Sequence, residues 1–150
     1  MRVLLDTNVI LDVLLEREVF EEESSKLLSM IERGIIKGFV SSVSVTDIYY
    51  ISHQTFHDKE KALNVINELL FITRVLKTDE KIIKNAIKLK WKDFEDAVQY
   101  SVAKKSHIDF IITRNKKDYK TSNIPVYTPK EFLEKINDSF FLRFGKSVTQ

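Results

Sequence analysis

The stretch Arg2-Val3-Leu4-Leu5-Asp6-Thr7-Asn8-Val9-Ile10-Leu11-Asp12 decides the fold. Val3, Leu4 and Leu5 form an apolar run without alternation, the pattern of a strand buried on both faces of a parallel sheet. Asp6 ends it. Val9, Ile10, Val13 and Leu14 then recur at helical spacing, so the chain passes from strand to helix through Thr7 and Asn8. A carboxylate at the carboxyl end of a central strand stands in the crevice where open α/β sheets take their ligands. Asp6 reads equally well as the cap of the following helix.

Outward from this stretch, strands and helices alternate. Ser24 to Arg33 carries Leu27, Leu28 and Ile31 on one face, with Glu21 to Glu23 near its start and Gly34 at its end. Gly38 to Ser41 reads as a second strand, completing a β-α-β unit. Ser41, Ser42 and Ser44 are candidate caps for a helix that follows from Val45, and Ser44-Val45-Thr46-Asp47 matches a capping box. Asp47 is therefore either a cap residue or a second carboxylate at the sheet edge, facing Asp6. Asp58 caps a helix from Lys59 to Leu70 with Ala62, Leu63, Ile66, Leu69 and Leu70 as its apolar stripe, and Phe71 to Leu76 is a third strand. Thr78-Asp79-Glu80 caps a helix with Ile82, Ile83, Ala86, Ile87 and Leu89 inward. Its lysine-rich outer face is either solvated or in contact with phosphate.

Asp93-Phe94-Glu95-Asp96 is the next acidic cluster. Asp93 and Asp96, three apart, share one helix face, and Glu95 is expected to point elsewhere. Ile108 to Thr113 is a second interior strand, and Thr113, Asn115 and Asp118 emerge beyond it at the same sheet edge as Asp6. Ile124 to Tyr127 suits only an edge strand, since Pro125 removes a ladder donor. Thr128-Pro129-Lys130-Glu131 starts a last helix. Past Ile136 the pattern fades into a tail, 138–150, whose Phe140, Phe141, Leu142 and Phe144 are expected to pack on the domain or on a partner subunit.

The alternation implies helices on both faces of a mostly parallel sheet of four or five strands. One domain suits 150 residues, 43% apolar and 31% charged. Without Cys there is no disulfide, thiolate zinc site or Cys nucleophile, and a reducing, cytoplasmic setting is expected. No signal peptide or membrane-length apolar segment is read. His53 and His57 lack a third ligand, and with three His in all and three Gly, neither a Ser-His-Asp triad nor a Gly-rich phosphate loop is at hand. A formal charge of +2 says nothing about partners.

Several carboxylates gathered at one sheet edge raise one another's pKa and destabilise the site unless a cation joins them. An all-oxygen ligand set points to Mg²⁺ or Mn²⁺, ions that also bind substrate phosphates and activate water. Hydrolysis of nucleic acid follows.

Leu5 to Asp12, the Ser-rich turn into Thr46-Asp47, Asp93 to Ala97 and Ile111 to Tyr119 together resemble a PIN domain, over about residues 1–135. The resemblance implies a Rossmann-like three-layer α/β/α fold and a Mg²⁺- or Mn²⁺-dependent ribonuclease, often the VapC-type toxin of a toxin–antitoxin pair. It also implies RNA as substrate, a homodimer and an antitoxin partner. By position Asp6 and Asp96 ligate metal. Asp47 stands where relatives more often carry Glu and acts directly or through water. The fourth acidic position falls on Asn115 or Asp118, and Asn8, Thr113 and Asp93 support the shell. Two other readings stay open: a catalytically weak module that binds RNA or protein, and a haloacid-dehalogenase-type phosphatase. The phosphatase needs a second acid where Asn8 stands.

Overall fold

The computed structural model describes residues 1–144. β1 (Arg2–Leu5), β2 (Lys37–Ser41), β3 (Thr73–Leu76), β4 (Phe110–Ile112) and β5 (Val126–Tyr127) form one sheet in the order β3-β2-β1-β4-β5. Every pairing is parallel, with Val3 beside both Gly38 and Phe110. The first three strands step outward in one direction and the last two in the other. The order therefore reverses between β1 and β4, the place where a ligand crevice opens in such sheets.

Alternation along β1 assigns its two faces. Val3 and Leu5 pack with Val40 and Ile112 against α1 (Thr7–Leu14), α2 (Glu21–Glu32), α3 (Ser42–Phe56), α4 (Lys59–Ile72) and Phe132 of α7 (Pro129–Phe144). Leu4 faces the other way with Phe39 and Ile111, onto Tyr100 and Ala103 of α6 (Phe94–Lys105) and Tyr119. A third cluster joins α6 to Ile82 and Ala86 of α5 (Glu80–Leu89). Two cores on opposite faces make the three layers, because a strand with both faces apolar has to be covered twice.

Several boundaries differ from the sequence reading. α3 begins at Ser42, and the expected Ser44–Asp47 capping box is not made. Ser41 leaves β2 extended and is itself the cap, its Oγ accepting from Ser44 N at 3.2 Å. α4 runs on through Phe71 and Ile72, so β3 starts only at Thr73. β-Propensity there loses to continuation of a helix already nucleated, and Phe71 ends 93% exposed. Ile87, Leu63 and Leu70, expected inward, are exposed, since the buried stripes narrow to Ile82 with Ala86 and to Ala62 with Leu69. α2 starts at Glu21, with all three glutamates in its first turn. The tail does not lose its structure: α7 continues to Phe144. Phe140, on this helix, is 61% exposed. The side chains of Phe141, Leu142 and Phe144, and the tail beyond, lie outside the described residues.

The β2 strand lies close under α2. A Cβ on Gly38 would stand 2.8 Å from both Cγ2 and Cδ1 of buried Ile31. Gly38→Ala is expected to destabilise the fold by about 1–3 kcal/mol through overpacking. Denaturant titration should show Ile31→Ala costing less in the Gly38→Ala background than in the native chain, a coupling absent if the contact is not tight.

Candidate active site

Asp6 caps α1, so both readings of it hold at once. Its Oδ1 accepts from Thr7 N at 2.7 Å and from Gln99 Nε2 at 3.3 Å. Its Oδ2 accepts from Thr113 Oγ1 at 2.7 Å, with Asn8 Nδ2 at 3.5 Å. Thr113 stands at the end of β4, next to β1, and the Asp6 N–H donates to Ile112 O at 2.9 Å. Adjacency of the two strands at the reversal of strand order is what brings this pair together.

Beneath them lies a buried polar knot. Ser44 Oγ is 2.7 Å from Gln99 Nε2, 2.9 Å from Thr7 Oγ1 and 3.3 Å from Ser41 Oγ. One hydroxyl, with two lone pairs and a proton, can satisfy all three. Gln99 is fully buried, and its Oε1 has no hydrogen-bond partner among the described residues. Turning the amide over would aim that oxygen at the Asp6 carboxylate, so the donor stays there.

Asp93 caps α6 by accepting from Asp96 N at 3.0 Å, and Asp96 is held by Tyr119, whose hydroxyl donates to its Oδ1 at 3.1 Å. Burial, then the charges of Asp6 and Asp93, push the Asp96 carboxyl up to about 7. Asp6 is raised by burial, partly offset by its hydrogen bonds from Thr113 and Thr7. Glu95 does not point elsewhere. Burial, a hydrogen bond shared with Asp47 and the charges of Asp47, Asp6 and Asp96 push it up to about 7. Glu95 sits in the first turn of a helix that starts at the crevice, where residues on adjacent faces reach the same space.

Asp47 thus joins the cluster through Glu95. Asp118, on the turn after β4, lies near enough to raise both Asp6 and Asp96. Asn115 contributes its backbone: its N–H donates to Thr113 Oγ1 at 3.1 Å, and its carbonyl accepts from Asp118 N at 3.1 Å. Asn8 lends Oδ1 to Arg114 N at 3.4 Å. Sequence reasoning missed Glu95, Gln99, Ser44 and Tyr119. Gln99 had a legible signal, three residues after Asp96 on the same helical face.

None of the largest influences on Asp6, Glu95 or Asp96 is a cation. Among the described residues no three Asp, Glu, His or Cys side chains converge closely enough to enclose an ion unaided. Oxygen donors short of a full cage suit a small hard cation that keeps part of its water and is held by one or two carboxylates. On donor chemistry, the residues fit such an ion.

The PIN domain family model matches residues 2–117. The chain belongs to the PIN domain family. Ribonuclease VapC1 of Aquifex aeolicus (strain VF5) is 32% identical over 141 residues, covering 91% of this chain and 96% of that protein. Among solved structures, VapBC2 from Rickettsia felis, bound to a DNA fragment from their promoter, superposes with a TM-score of 0.68 at 14% identity. That match covers 85% of this PIN domain chain and 98% of the other. A toxin–antitoxin complex from Klebsiella pneumoniae gives a TM-score of 0.63 at 18% identity, over 85% and 97%. At such identities the structures speak for the fold.

Carboxyls held near 7 in the folded chain bind protons that the unfolded chain has already released by about pH 4 to 5. Folded-state stability of the metal-free PIN domain is therefore expected to fall as pH rises from about 4 to about 7 and to level off above. The groups whose carboxyls are lowered, Glu22, Asp79 and Glu131, act below that window. Thermal melting in EDTA should give a lower Tm at pH 8 than at pH 5, and Glu95→Gln should flatten the slope. A Tm that rises over this interval would refute the assignment.

Proposed function

We propose that this chain is a divalent-metal-dependent endoribonuclease, using Mg²⁺ or Mn²⁺, and the toxin of a toxin–antitoxin pair. It is one PIN domain over residues 1–150, acting as a homodimer in the cytoplasm. The observation that carries the reading is the group of carboxylates at the strand-order reversal, Asp6 and Asp96 buried and Glu95 half-buried, with no cation among their main influences. The likeness to a ribonuclease over nearly the whole chain supports it, as does a fold shared with a toxin–antitoxin complex. A chain without Cys suits the cytoplasm, and among the described residues no helix is long and apolar enough to cross a membrane.

In this reading Asp6 and Asp96 hold the ion, Asp118 fills the fourth acidic position in preference to Asn115, and Asp47 acts through Glu95 or water. The bound ion supplies charge neutralisation at the phosphodiester and a lower pKa for coordinated water. The chain's own part is to aim and charge the ligands. Thr113, the Thr7 amide and Gln99 spend four donors between Asp6 and its neighbour Ser44, and the donors on Asp6 favour its ionised form. Tyr119 fixes one oxygen of Asp96. Burial and the neighbouring Asp47 carboxyl favour the protonated form of Glu95, and a cation held beside it would favour the ionised form. The phosphatase reading is disfavoured, because Asn8 offers an amide, already engaged with Arg114 N and Asp6, where general acid catalysis needs a carboxyl.

Purified protein should cut single-stranded or structured RNA when given Mn²⁺ or Mg²⁺, leaving 5′-phosphate and 3′-hydroxyl ends, and EDTA should stop it. Asp6→Asn and Asp96→Asn should each lower the rate roughly 100-fold or more, and induced expression should arrest bacterial growth for the wild type alone. Cleavage undiminished in both variants would remove the catalytic assignment; RNA binding without cleavage would leave the weak binding module. Light scattering should give twice the chain mass of 17.6 kDa, and a value for one chain at all concentrations would count against the dimer.

A further inference from the structure

Arg114 joins the acidic centre to a second feature. Its backbone N–H binds Asn8 Oδ1, while its side chain turns away to Asp12, with Nε 2.9 Å from Oδ2. Arg17 reaches the same fully buried carboxylate at 3.6 Å. Two guanidinium groups against one carboxylate leave a positive charge in surplus. The Arg114 guanidinium also lies 4.2 Å over the Phe20 ring. Beside it opens a cleft of about 280 Å³ lined by Val19, Phe20, Pro129 and Lys130, with Glu23 its one acid.

Val19 is 79% exposed and Phe20 41% exposed, an apolar pair left in solvent, with Phe20 against Arg114, the residue that follows Thr113. Aromatic and aliphatic walls with cations at the margin match a nucleotide, which offers a flat apolar base and an anionic phosphate. The volume falls at the small end for ligand sites and suits one base rather than a duplex. We propose that this cleft takes one unpaired nucleotide of a single-stranded RNA, its base against Phe20, Val19 and Pro129 and its phosphate toward Lys130 and Arg114. The inference rests on the ribonuclease reading for its choice of RNA. Bases flanking the cut are then selected for being unpaired, since a paired base cannot enter.

Arg114 is unsuited to a test because its loss strands Asp12, so Phe20→Ala and the exposed Lys130→Gln serve. Binding of a fluorescein-labelled eight-nucleotide single-stranded RNA of mixed sequence is followed by anisotropy in EDTA, which keeps the RNA whole. Phe20→Ala should weaken binding about 5-fold or more. Lys130→Gln should flatten the dependence of log affinity on log salt by about 0.7. Thermal melting should give both variants the wild-type Tm, so that weaker binding reports on the cleft and not on folding. No RNA binding by the wild type, or unchanged binding by both variants, would overturn the inference and leave the cleft as a protein-docking surface. Weakened binding by the variants of a wild type that cuts no RNA in Mn²⁺ would uphold the nucleotide cleft and sink the nuclease reading instead.

Discussion

The Asp6 carboxylate at the end of β1 is the constraint around which the rest of the chain is arranged. A charged group this far from water costs several kcal/mol unless it is hydrogen-bonded and electrically compensated. The chain meets the first requirement with donors from α1, α6 and the end of β4. It works against the second by placing Asp96 and Glu95 nearby, with like charge. A fold that spends hydrogen bonds to keep an acid buried, and then surrounds it with more acids, is stable by a smaller margin than it would be with an apolar crevice. Under the proposed metal-dependent reading, that local cost is offset when a cation binds.

Much of this could be read from the chain. The unalternating runs at Val3 to Leu5 and Ile108 to Ile112 place two interior strands, and with them the sheet edge where Asp6 and Thr113 meet. Caps at Asp58, Asp79 and Asp93 and the Thr128–Glu131 capping box are all made as expected, because such hydrogen bonds depend on a few neighbouring residues. Competition between neighbours was harder. Whether Ser41 or Ser44 caps α3 depends on the polar knot formed with Thr7 and Gln99, which lie 37 and 55 residues from Ser44 in the chain. Helical periodicity also misplaced Glu95: the rule for opposite faces holds along a helix and fails at its first turn, where neighbouring faces open onto the same crevice.

The ion pairs divide in a similar way. Lys26 with Glu22 and Lys84 with Glu80 lie in solvent at helical spacing and contribute little. Asp12 with its two arginines is of another kind, since it ties α1, the turn before α2 and the loop after β4 together behind the acidic edge. Nothing in local sequence announced it. Asp12 and Arg114 are more than a hundred residues apart, and only closure of the β1–β4 pairing makes them neighbours.

That separation has a bearing on how the protein is made. Thr113, the hydroxyl that holds Asp6, follows it by 107 residues. A ribosome delivering the chain from its amino end has released β1 long before β4 exists to lie beside it. While the intervening residues are made, therefore, the nascent polypeptide carries Asp6 without the partner that sets its geometry, and the centre is assembled only once β4 has left the ribosome.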